Sequence, residues 1–303
     1  MNHRIGLFLI LGLAPVCPGW AAEDKVVFEV TSPYHHIRVV DRDRMRILCF
    51  DNGTESRMSL DDPLQGHFEY TEYFHMPWLW NDRIKTVLVV GLGGGSIQRA
   101  FQHYYPQVQC QTVELDPKVV EVARDYFQLK ESETMQVTVE DGRVHLRRTK
   151  AKYDVILLDA YTANRYGSFI PYALATREFF ALASDHLTDD GVLAYNVIGR
   201  ATADREDLVG AIYQTLRTSF PQVYVFPALS SWNVVLVATQ SHQPATLAQL
   251  TRRADDLIES GRVTFPNLKT RLARLRASPP QSAASSRVMT DDFAPVDGLL
   301  KAE

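Results

Sequence analysis

The stretch Thr86-Val87-Leu88-Val89-Val90-Gly91-Leu92-Gly93-Gly94-Gly95-Ser96 constrains the fold more than any other part of the chain. A short apolar, β-branched run that stops in glycines reads as a buried parallel strand. It turns tightly into a helix that continues as Ile97-Gln98-Arg99-Ala100-Phe101. Glycine supplies the unusual backbone angles of the turn and lets the backbone approach a ligand with no Cβ between them. Amide groups at the helix start favour polar or anionic ligand groups. The spacing is G-x-G-x-G at Gly91, Gly93 and Gly95, with Ser96 where a dinucleotide G-x-G-x-x-G would place its last glycine. It favours an adenosyl-sulfonium nucleoside of the S-adenosylmethionine type over NAD.

The regions on either side supply the rest of the architecture. Residues 26–60 read as short alternating strands, Val26–Val30, His36–Val40 and Met45–Phe50, with Asp51-Asn52-Gly53 as a hairpin turn. Tyr70–Trp80 reads as an aromatic-rich helix. After the glycines, strands ending at Glu114, Glu140-Asp141, Asp159 and Val197 alternate with helices, and two late strands follow (Val223–Phe226 and Trp232–Ala238). This is a doubly wound α/β sheet. From 244 onward helices alternate with polar linker, and Ser278–Ser286 reads as flexible. The domains are therefore 1–22, 23–62, 63–243 and 244–303.

Residues 1–22 carry a basic start (Met1-Asn2-His3-Arg4), an apolar run from Ile5 to Val16 and a small-residue end, Gly19-Trp20-Ala21-Ala22. They read as a cleavable secretory signal peptide, so the mature protein is expected to be exported to the periplasm without stable membrane insertion. Cleavage removes Cys17 and leaves Cys49 and Cys110, expected in separate strands as two buried free thiols. No Cys/His spacing suggests a metal site. His35-His36 reads as a surface strand feature. A net charge of −4 offers no basic footprint for nucleic acid.

In a sheet of this kind ligands bind at the carboxyl ends of the strands. Glu114 is placed there for ribose hydroxyls, Asp141 for an adenine edge, and Asp159 at the mouth of the crevice. One such acid commonly caps a helix or solvates a loop. Three in register with the glycine turn favour a nucleoside site.

Gly91-Leu92-Gly93-Gly94-Gly95-Ser96, Val113-Glu114-Leu115-Asp116, Glu140-Asp141-Gly142 and Tyr153–Ala160 together resemble the spermidine synthase (polyamine aminopropyltransferase) family. Leu48–Gly53 is similar to that family's N-terminal hairpin domain. Arg177-Glu178-Phe179-Phe180 and Thr290-Asp291-Asp292-Phe293-Ala294-Pro295-Val296 resemble its bacterial spermidine synthase-like members. The resemblance implies a Rossmann-like class I S-adenosylmethionine-dependent methyltransferase fold behind a small antiparallel β subdomain. It also implies decarboxylated S-adenosylmethionine, or S-adenosylmethionine itself, as co-substrate, with no metal. Gly91, Gly93, Gly95, Glu114, Asp141, Gly142 and Glu55 are then the nucleoside-binding residues and Asp159 the catalytic base. His75, Tyr73, Ser96 and Thr162 fall on the side of a small-molecule amine or polyamine, and a homodimer is left open.

Three positions depart from the family pattern. Ser96 and Thr162 stand where it carries amine-binding aspartates, and Glu55 stands for a glutamine that touches the nucleoside. Tyr161 and Tyr166 offer cation–π contact in place of the lost charges. Three readings follow: an aminopropyltransferase of polyamine biosynthesis, a methyl- or aminocarboxypropyltransferase using intact S-adenosylmethionine, and a non-catalytic exported binder of polyamine or nucleoside. The first is the reading adopted.

Overall fold

The computed structural model describes residues 24–299 apart from 52, 165–166, 203–204 and 277. The leader read in residues 1–22 and Tyr166 lie outside the described residues.

Four antiparallel strands open the described chain: β1 (Lys25–Thr31), β2 (His36–Arg42), β3 (Met45–Phe50) and β4 (Gly53–Ser59), paired in that order. The sequence suggests only the first three, because Gly53–Ser59 has one buried apolar side chain, Met58. Asp43, Arg44 and Asp51 take positive φ where the chain reverses. Ile37, Val39, Leu48, Phe50 and Met58 form the inner face, packed with Val119, Val120, Ala123 and Phe127. That packing brings the small sheet to the rim of the main domain.

The main domain alternates β5 (Thr86–Val90), α1 (Ser96–Tyr104), β6 (Gln109–Glu114), α2 (Pro117–Tyr126), β7 (Met135–Val139), α3 (Gly142–Arg148) and β8 (Tyr153–Leu158). A short hairpin, β9 (Thr162–Asn164) and β10 (Gly167–Phe169), then leads to α4 (Arg177–Asp185), β11 (Leu187–Ile198) and α5 (Leu208–Leu216). β12 (Gln222–Pro227) and β13 (Asn233–Thr239) complete a seven-stranded sheet of order β12-β13-β11-β8-β5-β6-β7. Only β13 runs against its neighbours. Both faces of the sheet are covered. Leu88 and Val90 of β5 enter a core with Phe179 and Phe180, while Val87 and Val89 enter another with Phe101 and Trp78. Strand addition reverses direction between β5 and β8, so a crevice opens beyond their carboxyl ends.

Two expectations need correction. Glu69–Leu79 is a 3-10 helix, and Pro77 inside it has no amide to give a regular α-helical ladder. The Ser278–Ser286 stretch is packed rather than free. Gln281–Ser285 forms a 3-10 turn against α5, where the buried Ser282 hydroxyl donates to Asp207 Oδ1 at 2.5 Å. Polar composition misleads here because small side chains admit close approach: a Cβ at Gly210 would lie 2.5 Å from Ser282 Oγ. Helices α6 (Leu247–Glu259) and α7 (Leu268–Leu272) pack beside Glu69–Leu79, and α8 (Val296–Leu299) ends the described chain. Cys49 and Cys110 are both free, but Cys49 is only half-buried.

Candidate active site

The crevice is built by the carboxyl ends of β5, β6, β7 and β8, roofed by the small sheet and walled by residues 171–174. Gly91 and Gly93 line its floor at φ +100° and +52°. A Cβ on Gly91 would sit 2.3 Å from the Asp159 carbonyl oxygen, and one on Gly142 2.4 Å from Val90 Cγ1. The glycines are required by strand-end crowding as much as by a ligand. Gly95 (φ +71°) lies behind the crevice, where it caps α1.

Glu114, at the end of β6, accepts the Leu92 amide at Oε2 and the Asp116 amide at Oε1, both at 2.9 Å. Burial raises its carboxyl to a pKa of about 7, against the lowering effect of those bonds. Asp141 lines the crevice and also caps α3, accepting the Val144 amide at Oδ1. The capping role and a ligand role share one side chain. Glu55 and Thr162 also line the crevice.

Asp159 follows β8 and is half-buried at the mouth. Its Oδ2 accepts from Tyr70 Oη at 3.2 Å and its Oδ1 from Asn196 Nδ2 at 2.9 Å. Asn196 is itself held by Asn233, whose Nδ2 donates to Asn196 Oδ1 at 3.0 Å. Tyr161 donates to the Asn196 carbonyl at 2.7 Å. Burial raises the Asp159 carboxyl to about 7, and the Asn196 and Tyr70 bonds only partly oppose this. A carboxyl poised there can take a proton near neutral pH.

Three residues expected on the amine side lie elsewhere. His75 is buried between Phe101 and Phe265, with Nδ1 2.9 Å from Tyr105 Oη, and burial lowers its pKa to about 3. Tyr73 is fully buried, donating to Glu69 Oε1 and the Pro227 carbonyl. Ser96 begins α1 and, like His75, faces a separate small cavity behind the glycine turn. Helical aromatic spacing could not distinguish a core ring from a site ring.

Conversely, Tyr70, Asn196 and His35 are in the site without any sequence signal beyond their residue type. His35 is not a surface feature: it is 8% exposed, stacks on Phe50 with ring centroids 4.2 Å apart, and lines the crevice with Nδ1 unpartnered. A buried imidazole nitrogen without a partner is costly, and a ligand hydroxyl in the crevice would satisfy it. Together with the glycine floor and Glu114, this fits a nucleoside. Among the described residues no group of His, Cys, Asp and Glu could hold a metal ion.

This sheet order, with acids at the strand ends of the crevice, defines the class: a Rossmann-like fold of the class I S-adenosylmethionine-dependent methyltransferase type with an added N-terminal sheet. Residues 67–248 match the spermine/spermidine synthase domain. Over 312 aligned residues the chain is 30% identical to a polyamine aminopropyltransferase of Vibrio vulnificus, covering 99% of each. Human methyltransferase-like protein 13, solved in complex with SAH, is 26% identical with a TM-score of 0.56, covering 65% of this chain and 94% of its own. A spermidine synthase in complex with the transition state analogue AdoDATO has a TM-score of 0.65 at 19% identity, covering 84% of each chain, and supports the fold alone. The chain belongs to the spermine/spermidine synthase family.

Proposed function

We propose that this protein transfers an aminopropyl group from decarboxylated S-adenosylmethionine to a small-molecule amine or polyamine, a step of polyamine biosynthesis. The observation that carries the reading is Asp159, a half-buried carboxyl held by Tyr70 and Asn196 in the crevice that contains Glu114 and Asp141. Glu114 accepts ribose hydroxyls, and Asp141 with Gly142 borders the adenine. The acceptor nitrogen attacks the carbon beside the sulfonium, the C–S bond breaks with its electron pair going to sulfur, and methylthioadenosine leaves. Asp159 takes the proton that the nitrogen sheds. Tyr70 and Asn196 fix the carboxyl in place, which removes an orientational cost from the step.

Asp159→Asn keeps the shape and removes the basicity. Transfer should fall by about 10²–10⁴-fold, with methylthioadenosine affinity little changed. Equal transfer by the variant would overturn the role.

A second reading, transfer of a methyl or aminocarboxypropyl group from intact S-adenosylmethionine, is favoured by the relative solved with SAH. A non-catalytic binder is the third. A thermal-shift panel with methylthioadenosine, S-adenosylhomocysteine, NAD and spermidine separates them. A ligand at a hundred times its dissociation constant stabilises by about 2.7 kcal/mol. Preference for S-adenosylhomocysteine would favour intact donor. Binding without transfer to any amine would favour the third reading.

Residues 1–22 support export to the periplasm as part of the same proposal. The mature protein should begin at Ala22 or Glu23 when sequenced from an envelope fraction. Met1 retained on cytoplasmic protein would overturn export.

A further inference from the structure

The segment Thr290–Val296, singled out in the sequence, has no part in the chemistry above, and its placement gives it one. Met289 is buried; its amide donates to Thr215 Oγ1 and its carbonyl accepts from the Arg177 amide. Thr290 and Phe293 then bond each other's backbone at 3.0 Å in both directions, making a tight turn that presents Asp291. Asp291 meets the Arg143 guanidinium end-on, Nη1 to Oδ1 at 2.8 Å and Nη2 to Oδ2 at 2.6 Å. Thr176 donates its hydroxyl to Asp291 Oδ1 at 2.7 Å, and the Asp291 amide donates to Glu178 Oε2. Arg143 Nη1 also reaches the Ala173 carbonyl at 3.2 Å.

The location of these partners matters. Arg143 follows Asp141 and Gly142, which form one lip of the crevice. Ala173 and Leu174, just before Thr176, line the crevice as part of its wall. No strand pairing joins the two segments. Asp291, 148 positions beyond Arg143, bonds to both. Arg143 is 9% exposed and its bidentate geometry is directional, so the contact fixes a separation as well as adding attraction.

We propose that Asp291 is a positioning residue for the nucleoside: it sets the gap between the Asp141–Gly142 lip and the 171–174 wall. The inference rests on the crevice being the nucleoside site. Asp291→Ala should raise the Kd for methylthioadenosine and the KM for the donor about tenfold, with kcat within about twofold, corresponding to ~1.4 kcal/mol. Arg143→Ala should raise both at least as much, since it also removes the bond to the Ala173 carbonyl, and the double variant should fall short of the sum of the two because they share the ion pair. Ser282→Ala loosens the same tail away from the crevice. It should lower Tm and leave Kd unchanged, which separates positioning from loss of stability.

Hydrogen exchange of free protein provides a readout independent of ligand. Amides of 142–146 and 173–176 should exchange faster in Asp291→Ala and not in Ser282→Ala. If exchange and Kd in Asp291→Ala match wild type, the positioning role is overturned. If wild type binds neither methylthioadenosine nor S-adenosylhomocysteine, the nucleoside reading fails and the positioning role with it, even where exchange shows the clamp itself. A Kd rise in Ser282→Ala equal to that in Asp291→Ala would reduce Asp291 to a general stabiliser.

Discussion

Glu114 carries two burdens, holding the Leu92 and Asp116 amides and remaining able to accept ligand hydroxyls. Burial lifts its carboxyl to about 7, so the free protein should hold it partly protonated near neutral pH. Hydroxyl donors on a ligand favour the ionised form, so binding should release a proton. Methylthioadenosine affinity is therefore expected to rise several-fold between about pH 6 and pH 8 and then level off. Glu114→Gln should flatten that profile and weaken binding by about 1.5–3 kcal/mol, the range for a hydrogen bond to a charged group. Calorimetry across pH checks both, and an identical pH profile in the variant would remove Glu114 from the ribose. Glu114, Asp141 and Asp159 were legible in the sequence because each closes a strand of the strand–helix alternation at the same sheet edge. Tyr70, Asn196 and His35 were not, because their roles depend on which element lies beside them. His75 looked like a site residue for the same reason: a residue type carries no record of the face on which it is buried.

At the scale of elements, Glu69–Leu79 holds Tyr70 against Asp159 and is itself held from behind. Arg271 of α7 donates Nε to Glu72 Oε2 and Nη1 to Glu69 Oε1, both at 2.7 Å, and all three side chains are largely buried. Burial alone would raise the Glu72 carboxyl, but bonds from His67, Arg271 and Asn267 bring it down to about 2. An acid with a lowered folded pKa stabilises the native state above its unfolded value, near 4.5, and that contribution is lost as pH falls towards 2. Arg271→Ala should cost about 3–5 kcal/mol at pH 7, as for a broken buried pair. The gap to wild type should narrow as pH falls from about 4.5 towards 2, where the unfolded chain takes up the proton that the paired Glu72 of folded wild type resists. Denaturant unfolding at pH 7 and about pH 3 tests this, and a gap that does not narrow would mean packing rather than charge. Sequence reading gave an aromatic-rich helix here and missed the ion pairs, because Glu72 and Arg271 lie in different elements. It also missed the 3-10 geometry, since Pro77 alone does not distinguish an ended helix from a tightened one.

For the whole molecule, the alternation of strands and helices was readable because β5 and β8 are buried on both faces and stand out as the apolar runs Val87–Val90 and Val155–Leu158. The tail was misread in the opposite sense: small and polar residues suggested a linker, whereas Ser282 and Ala283 are the size that fits against Gly210. The central pairing has a further consequence, in time rather than space. β5 is complete early in the chain, yet its partner on one side is β8, with β6, β7 and three helices made in between. Gly91 takes its final place only when the backbone at Asp159 arrives beside it. Non-local parallel pairing of this kind folds slowly. A chain that closes its centre late keeps one edge of β5 unpaired for longer, so the geometry that makes the crevice also sets the moment at which it can first bind anything.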